Sequence, residues 1–257
     1  MSTALQAYVS HLRVEKSSYG QYYRENWSAM LKDEVRCLPK PNFLSTVQRG
    51  YIKPYMRHTI IEWLFSVAHR HLLEAQIVAR ATNYIDRYLS AIAVNRHNFQ
   101  VLALASLYLA GKMDRVASVP HLSLETISGV TETDVWFAER SILETLRWDM
   151  AAVTPHMVLA RVCNVVSDPA AAAELFVKSA TYANVALLRY DLSWAPASVI
   201  AVGALICGAA DLAVTLSSIS AQLRGLGVDV DRAESVAEVL REVMEESSQS
   251  GSACSVS

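Results

Sequence analysis

The sequence has few of the residues that typify secreted, metal-binding or membrane proteins. It holds only four cysteines, and no two of them have the spacing of a metal site or a redox pair. In a chain of 257 residues, this usage indicates reduced thiols in the cytosol or nucleus. An uncharged apolar run ends at Ala210, before Asp211, and is shorter than the ~20 residues that span a bilayer. We therefore expect neither a disulfide scaffold nor a membrane segment.

Charge is also scarce, at 19% of residues against an average of about 25%. The net charge is −2, and residues 1–150 hold 17 Lys and Arg against 14 Asp and Glu. A balance this even predicts no binding of nucleic acid. Because apolar residues make up 52% of the chain, the low charge indicates that a partner covers part of an apolar surface.

Motifs of catalysis are missing as well. The sequence has no glycine-rich phosphate loop, no nucleophile elbow and no zinc-ligand cluster. His69 and His71 are two residues apart on a predicted helix, so they point in different directions and cannot share a metal ion. We expect no enzymatic activity, no cofactor and no metal. An enzyme of unknown type would instead need polar residues that converge in a pocket.

With only nine glycines and seven prolines, helical periodicity dominates the sequence and predicts an all-α fold. A first set of helices is predicted over 21–36, 55–70, 75–92, 96–113 and 131–148, with a shorter helix near 121–128. A second set is predicted over 155–165, 170–189, 196–213, 217–224 and 230–246. Thr154, as an N-cap before Pro155, begins the second set.

The two sets of helices predict two bundles in tandem. One helix of each set, beginning near Val101 and near Ala197, is apolar almost all round and must be surrounded by its neighbours. The expected organisation is an N-terminal segment over 1–20, a first bundle with its preceding helix over 21–150, a second bundle over 151–246, and a disordered serine-rich tail over 247–257.

Three charged residues fall among apolar residues on the predicted helices. Glu139 lies within an apolar stripe when residues are placed at intervals of 100°. Lys112 ends the apolar helix that begins near Val101, and Arg57 shares a sector with Ile61. Each charge needs a partner, either within the chain or on another protein, unless its long side chain reaches solvent.

The predicted helix over 56–68 carries two apolar stripes. Met56, Ile60 and Trp63 lie on one, and Leu64 and Phe65 lie on the other. One stripe can enter the core, while the other forms either a groove that binds a partner or a second buried face. Periodicity leaves both interpretations open.

Four segments within residues 1–150 resemble the cyclin family. Met56–Leu64 and Asn83–Ser90 resemble the signatures of the first two cyclin-box helices, and Ala110–Asp114 and Leu146–Met150 resemble the ends of the third and fifth. Their order and spacing are highly specific. Residues 146–156 are very similar to the segment that links the two boxes in D-type cyclins, and the likeness covers about residues 25–215.

The resemblance implies two five-helix cyclin boxes in a subunit that binds and activates a cyclin-dependent protein kinase for G1/S progression. Lys112 and Glu139 match the family's pair that clamps the kinase, which places the partners of these charges on another chain. Arg57 and Asp86 match an internal ion pair. Residues that match flanking kinase contacts are Leu109, Met113, Asp114, Leu143 and Met150.

The resemblance also implies a patch that docks short Arg-x-Leu peptides of substrates or inhibitors. The matching residues are Met56, Thr59, Ile60, Trp63 and Gln100. Thr59 stands where the family has an apolar residue, and Ser66 stands where it has an acid that receives the peptide's arginine, although Glu62 is near. We expect such docking to be weakened.

Two features of D-type cyclins are missing, which leaves the origin of the protein open. The sequence has no Leu-x-Cys-x-Glu motif near its N-terminus and no Thr-Pro or Ser-Pro site in its tail. Compact cyclins without these parts resemble the virus-encoded cyclins of gammaherpesviruses. We expect a nuclear and cytoplasmic protein, of the host cell if it is viral. The alternative is a cyclin-fold scaffold or transcription-type protein that binds no cell-cycle kinase.

Overall fold

The structure, a computed structural model, describes residues 20–114, 130–163, 168–214 and 223–253. Regular secondary structure in these ranges is entirely helical, so the predicted all-α fold is confirmed. The helices are α1 (Gly20–Arg36), α2 (Phe43–Thr46), α3 (Pro54–Arg70), α4 (Ala75–Leu89), α5 (Arg96–Met113), α6 (Glu132–Thr145), α7 (Pro155–Cys163), α8 (Pro169–Leu188), α9 (Ala197–Asp211) and α10 (Val230–Ala253). None of these helices is long and apolar enough to cross a membrane.

The described residues form two compact units. The first unit consists of Asp33–Thr154 and Leu187–Ala195. The second consists of the described parts of Met1–Lys32, Pro155–Ala186 and Pro196–Ser257. Each unit contains four of the predicted long bundle helices. The short helix predicted near 121–128 for the first bundle lies outside the described residues. The helix predicted over 217–224 for the second bundle lies almost entirely outside them.

These units divide α1 after Lys32, whereas the boundary predicted after residue 150, which stays a prediction, assigns the whole helix to the first bundle. In the second unit, the Trp27 indole donates to the Leu226 carbonyl at 3.1 Å, which ties α1 to a distant part of the sequence. In the first unit, the Tyr190 hydroxyl accepts from the Leu44 amide at 3.0 Å. Helical periodicity does not show such contacts, because they join residues far apart in the sequence.

The first unit is built around α5. This helix packs against α3, α4 and α6 and is buried on nearly every side, as its apolar circumference predicts. Asn95 begins it by accepting a hydrogen bond from the Asn98 amide at 2.8 Å. Thr131 and Asp134 form a capping box that begins α6. These two N-caps set the residues at which α5 and α6 begin. Both helices carry residues of the candidate site.

The second unit is built around α9, which packs against α7 and α10. A Cβ atom at Gly203 would lie 2.9 Å from the Ala233 carbonyl oxygen, so the close approach of α9 and α10 requires glycine there. The last helix continues to Ala253, beyond the predicted end at 246. The prediction of a disordered tail from residue 247 is therefore wrong for residues 247–253, which continue the helix. No proline interrupts this helix, and it extends past Gly251.

A buried histidine in the second unit predicts acid sensitivity. His156 is only 4% exposed, and its Nε2 lies 2.9 Å from Asn184 Oδ1, while its Nδ1 has no hydrogen-bond partner within the described residues. Burial lowers the pKa of His156 from 6.5 to about 4. Because the unfolded chain binds the proton first, stability is complete above about pH 6.5 and falls as the pH drops towards 4.

We expect this group to remove roughly 2 kcal/mol of unfolding free energy between pH 7 and pH 5, measured by urea denaturation. His156→Gln should flatten the pH dependence, whatever its effect on stability at pH 7. An equal slope in wild type and His156→Gln would contradict the assignment.

Candidate kinase-binding site

Lys112 and Glu139 form an ion pair between the last turn of α5 and the middle of α6. The Lys112 ammonium donates to both carboxylate oxygens of Glu139, at 2.7 and 2.8 Å. The lysine side chain is 55% exposed and the glutamate side chain 12%. The resemblance placed the partners of both charges on another chain. In the isolated chain this expectation is wrong, because the two residues pair with each other.

This pair offers a hydrogen-bond donor and acceptor side by side at a partly exposed surface. An exposed ion pair contributes only about 0–1 kcal/mol to stability, so the fold gains little from it. An ammonium has three donors, and its exposed side remains open to carbonyl or carboxylate groups of a partner. Such an arrangement is suited to binding a polar backbone segment.

The predicted flanking residues differ in how far they reach the surface. Met113 is 48% exposed, and Leu143 is half-buried against the core of the first unit. Leu109 and Met150 are each only 7% exposed, so they mainly support the residues around them. Asp114 ends α5 and accepts a hydrogen bond from Arg80 at 2.7 Å.

Trp148 is an exposed aromatic residue that is not among the site residues predicted from the sequence. It is 70% exposed, and its amide donates to the Leu143 carbonyl, one turn beyond Glu139 on α6. Trp148 and the preceding Arg147 both have left-handed backbones, with φ of 60° and 53°. Such strain is uncommon outside glycine and is often found at functional sites. The Leu146–Met150 motif contains this tryptophan, but its exposure could not be predicted from the motif.

The strained turn is held in place by α4. The Arg87 guanidinium donates to the carbonyls of Asp149 and Ala151, at 2.9 and 3.0 Å. The Tyr84 hydroxyl donates to the Met150 carbonyl at 2.8 Å. These bonds fix the backbone that follows Trp148. They thereby hold the indole at the surface, although a left-handed backbone is unfavourable for residues other than glycine. The left-handed residues Arg147 and Trp148 cannot continue α6, which ends at Thr145, three residues before the predicted end at 148.

Arg57 and Asp86 form an ion pair inside the first unit. Arg57 Nε and Nη2 donate to the two carboxylate oxygens of Asp86, at 2.8 and 2.6 Å, and both side chains are at most 3% exposed. Arg57 Nη1 also donates to the Leu187 carbonyl at 3.0 Å. Burial raises the pKa of Asp86, and the guanidinium opposes that rise. This geometry suits a structural role.

The five residues that match the peptide patch lie on α3 and α5, which pack against each other. Thr59 and Gln100 are exposed, Met56 and Trp63 are half-buried, and Ile60 is buried in the core. The second stripe of α3 is also buried at Leu64, so most of the apolar surface of this helix enters the core. The surface that could bind a peptide is confined to Met56, Trp63 and their exposed neighbours.

A pocket of about 380 Å³ lies elsewhere on the first unit and contains none of the five patch residues. Its lining comes from the N-terminal parts of α5 and α6 and from the chain before α5, including His97, Val101, Asp134 and Phe137. Phe137 is 68% exposed. The Asp134 carboxylate already accepts from Thr131 in the capping box, so the polar groups of this pocket serve the fold.

The other side chains of chemical interest are those that could hold a metal ion and the free thiols. No group of three or more His, Cys, Asp or Glu in the ranges that the structure describes is placed to hold a metal ion. Cys37, Cys163 and Cys207 are buried free thiols, and burial raises the pKa of Cys163 to about 12. These thiols therefore stay protonated near neutral pH and are poor nucleophiles.

Comparison with known proteins places these features in a family. Residues 25–151 match the family model for the cyclin N-terminal domain. Human G1/S-specific cyclin-D3 is 30% identical over 235 residues, which cover 87% of this chain and 80% of that protein.

Two solved structures share the fold. A viral cyclin from herpesvirus saimiri has a TM-score of 0.70 at 19% identity, and the likeness covers 82% of this chain and 93% of that one. A chain of the yeast RNA polymerase II CTD kinase complex CTDK-1 has a TM-score of 0.61 at 15% identity, with 82% and 70% covered. With the family model and the human relative, these findings show that the chain belongs to the cyclin family and resembles D-type cyclins.

Proposed function

We propose that this protein is a regulatory subunit that binds and activates a cyclin-dependent protein kinase, without catalysing a reaction itself. The observation that carries the proposal is the partly exposed Lys112–Glu139 pair, which has exposed Met113 beside it on α5. The names of its relatives support it, because one is a G1/S-specific cyclin and one structure is a kinase complex. We further propose that it acts at the G1/S transition, in the nucleus and cytoplasm.

Activation would follow from binding one arrangement of the kinase better than another. Phosphoryl transfer needs the Lys–Glu ion pair of the kinase and its activation loop in place. The Lys112 ammonium would donate to the kinase segment that moves, and Glu139 would accept from it. Met113 and Trp148 would bury apolar surface beside this contact. Because the subunit favours the active arrangement, it shifts the kinase population towards activity.

Affinity capture from a lysate of dividing cells, followed by identification of the bound kinase, tests the partner. We expect a cyclin-dependent kinase in a 1:1 complex. Recovery of other proteins without any kinase would favour the cyclin-fold scaffold instead.

Docking of Arg-x-Leu peptides is a second surface property that we propose, in weakened form. The Ser66 hydroxyl is exposed and donates to the Glu62 carbonyl at 3.1 Å, while Glu62 Oε1 lies 3.3 Å from His58 Nε2. No carboxylate therefore stands at position 66 to receive the peptide's arginine. A hydrogen bond to a charged group is worth roughly 1.5–3 kcal/mol, so we expect affinity about tenfold below that of a site with the acid.

Ser66→Glu should restore about tenfold in affinity, measured by titration with a fluorescent Arg-x-Leu peptide. The gain should disappear for a peptide in which alanine replaces the arginine. Ser45→Glu, at another exposed serine of the first unit, controls for the added charge. If Trp63→Ala leaves peptide affinity untouched, the patch is not the docking site.

A further inference from the structure

Arg80 is a mostly buried charge that contacts the kinase-binding end of α5. Its side chain extends from α4 and is only 12% exposed, and its Nη2 donates to Asp114 Oδ1 at 2.7 Å. Asp114 ends α5 two residues after Lys112, and its amide donates to the Ala110 carbonyl at 3.1 Å. The ion pair therefore fastens the last turn of α5 to α4.

Arg80 lies at the border between the polar stripe and the buried face of α4. Neighbouring residues on the buried face of α4, such as Ile77, Ala81 and Tyr84, are fully enclosed. Arg80 Nε is buried without a hydrogen-bond partner within the described residues. Burial of a charge with one donor unsatisfied is costly, and an apolar residue of similar volume often stabilises such a site as well or better. The arginine is thus expected to serve the residue that it holds.

We infer that Arg80 is a positioning residue for kinase binding, which acts through Asp114. It holds the Asp114 carboxylate by Oδ1, while Oδ2 takes no part in this bond and can accept from an N–H donor of the kinase. It also limits fraying of the turn that carries Lys112 and Met113. This inference rests on the proposed function, but its effect on α5 is measurable without a kinase.

Two readouts test the inference on Arg80→Met, which keeps an unbranched apolar stem and removes the guanidinium with its charge. In the free chain, hydrogen–deuterium exchange should become faster at the amides of residues 111–114. With the purified kinase, the Kd should rise about tenfold, and Arg80→Lys should recover part of this loss because it retains the charge. Arg224→Met, which breaks an exposed ion pair with Asp231 in the second unit, should change neither readout.

A double-mutant cycle separates positioning from a general effect on folding. In an Asp114→Ala background, Arg80→Met should change the Kd no further, because its action depends on that carboxylate. An undiminished effect in this background, or unchanged exchange at residues 111–114, would overturn the inference. Failure of the wild-type chain to bind any cyclin-dependent kinase would instead contradict the proposed function, while the exchange result would still decide whether Arg80 positions α5.

Discussion

Lys112→Glu is expected to abolish kinase binding while the helical fold stays intact. The side chain of Lys112 is 55% exposed in the free chain, so the loss of its pair with Glu139 and the repulsion between the two carboxylates should together lower stability by only about 1–2 kcal/mol. In the complex, the reversed charge would be buried against groups selected for a cation, which costs several kcal/mol. Binding to the purified kinase by calorimetry and unfolding by circular dichroism measure the two effects separately.

A charge swap distinguishes the kinase clamp from a bond that serves only this chain. The double variant Lys112→Glu with Glu139→Lys should regain the internal ion pair and the stability of the wild type, but it should still fail to bind the kinase. The matched control is Arg140→Glu, because Arg140 pairs with Glu144 on the exposed face of the same helix. Kinase binding by Lys112→Glu at wild-type affinity, or its recovery in the swap, would show that the kinase does not contact this pair.

Asp86→Ala is expected to destabilise the protein by roughly 3–5 kcal/mol, because it leaves the Arg57 guanidinium buried without its counter-charge. Arg57 is 1% exposed, so no relaxation towards solvent is open to it in the folded state. Its bond to the Leu187 carbonyl would remain and would not neutralise the charge. Thermal and urea unfolding measure the loss.

The exposed pair of Asp33 with Arg36 provides the control for this substitution. Asp33 is 47% exposed, and Asp33→Ala should cost about 0–1 kcal/mol. A second comparison is Asp86→Asn, which keeps the shape and the hydrogen-bond acceptor and should still lose much of the stability because the charge is gone. A melting curve for Asp86→Ala that matches the wild type would contradict the burial of this pair.

The helices and their residues could be predicted from the sequence because local periodicity and capping determine them. The apolar circumference of α5 and α9 predicted their central positions, and the start at Pro155 follows from local sequence. Lys112, Glu139 and Arg57 were identifiable because charge within an apolar sector demands a partner. The order and spacing of the four motifs predicted the cyclin family.

Contacts between distant parts of the chain could not be predicted in the same way. The bond between Lys112 and Glu139 depends on how α5 and α6 pack, and periodicity gives no crossing angle. The exposure of Trp148 depends on two left-handed residues, which the sequence does not mark with glycine. Arg80 lies at the edge of the polar stripe of α4, and its bond to Asp114 depends on how α4 packs against α5.

Reconstitution of kinase activity shows whether this chain activates a cyclin-dependent kinase through Lys112. The purified chain is added to a panel of purified cyclin-dependent kinases, each inactive alone, and phosphorylation of a protein substrate is measured with the Lys112→Glu variant in parallel. We predict that at least one kinase gains activity that saturates at a 1:1 ratio with the wild-type chain and not with the variant. If the wild-type chain activates none of the kinases, it is not their regulatory subunit. If both chains activate a kinase equally, Lys112 is not part of the kinase-binding site.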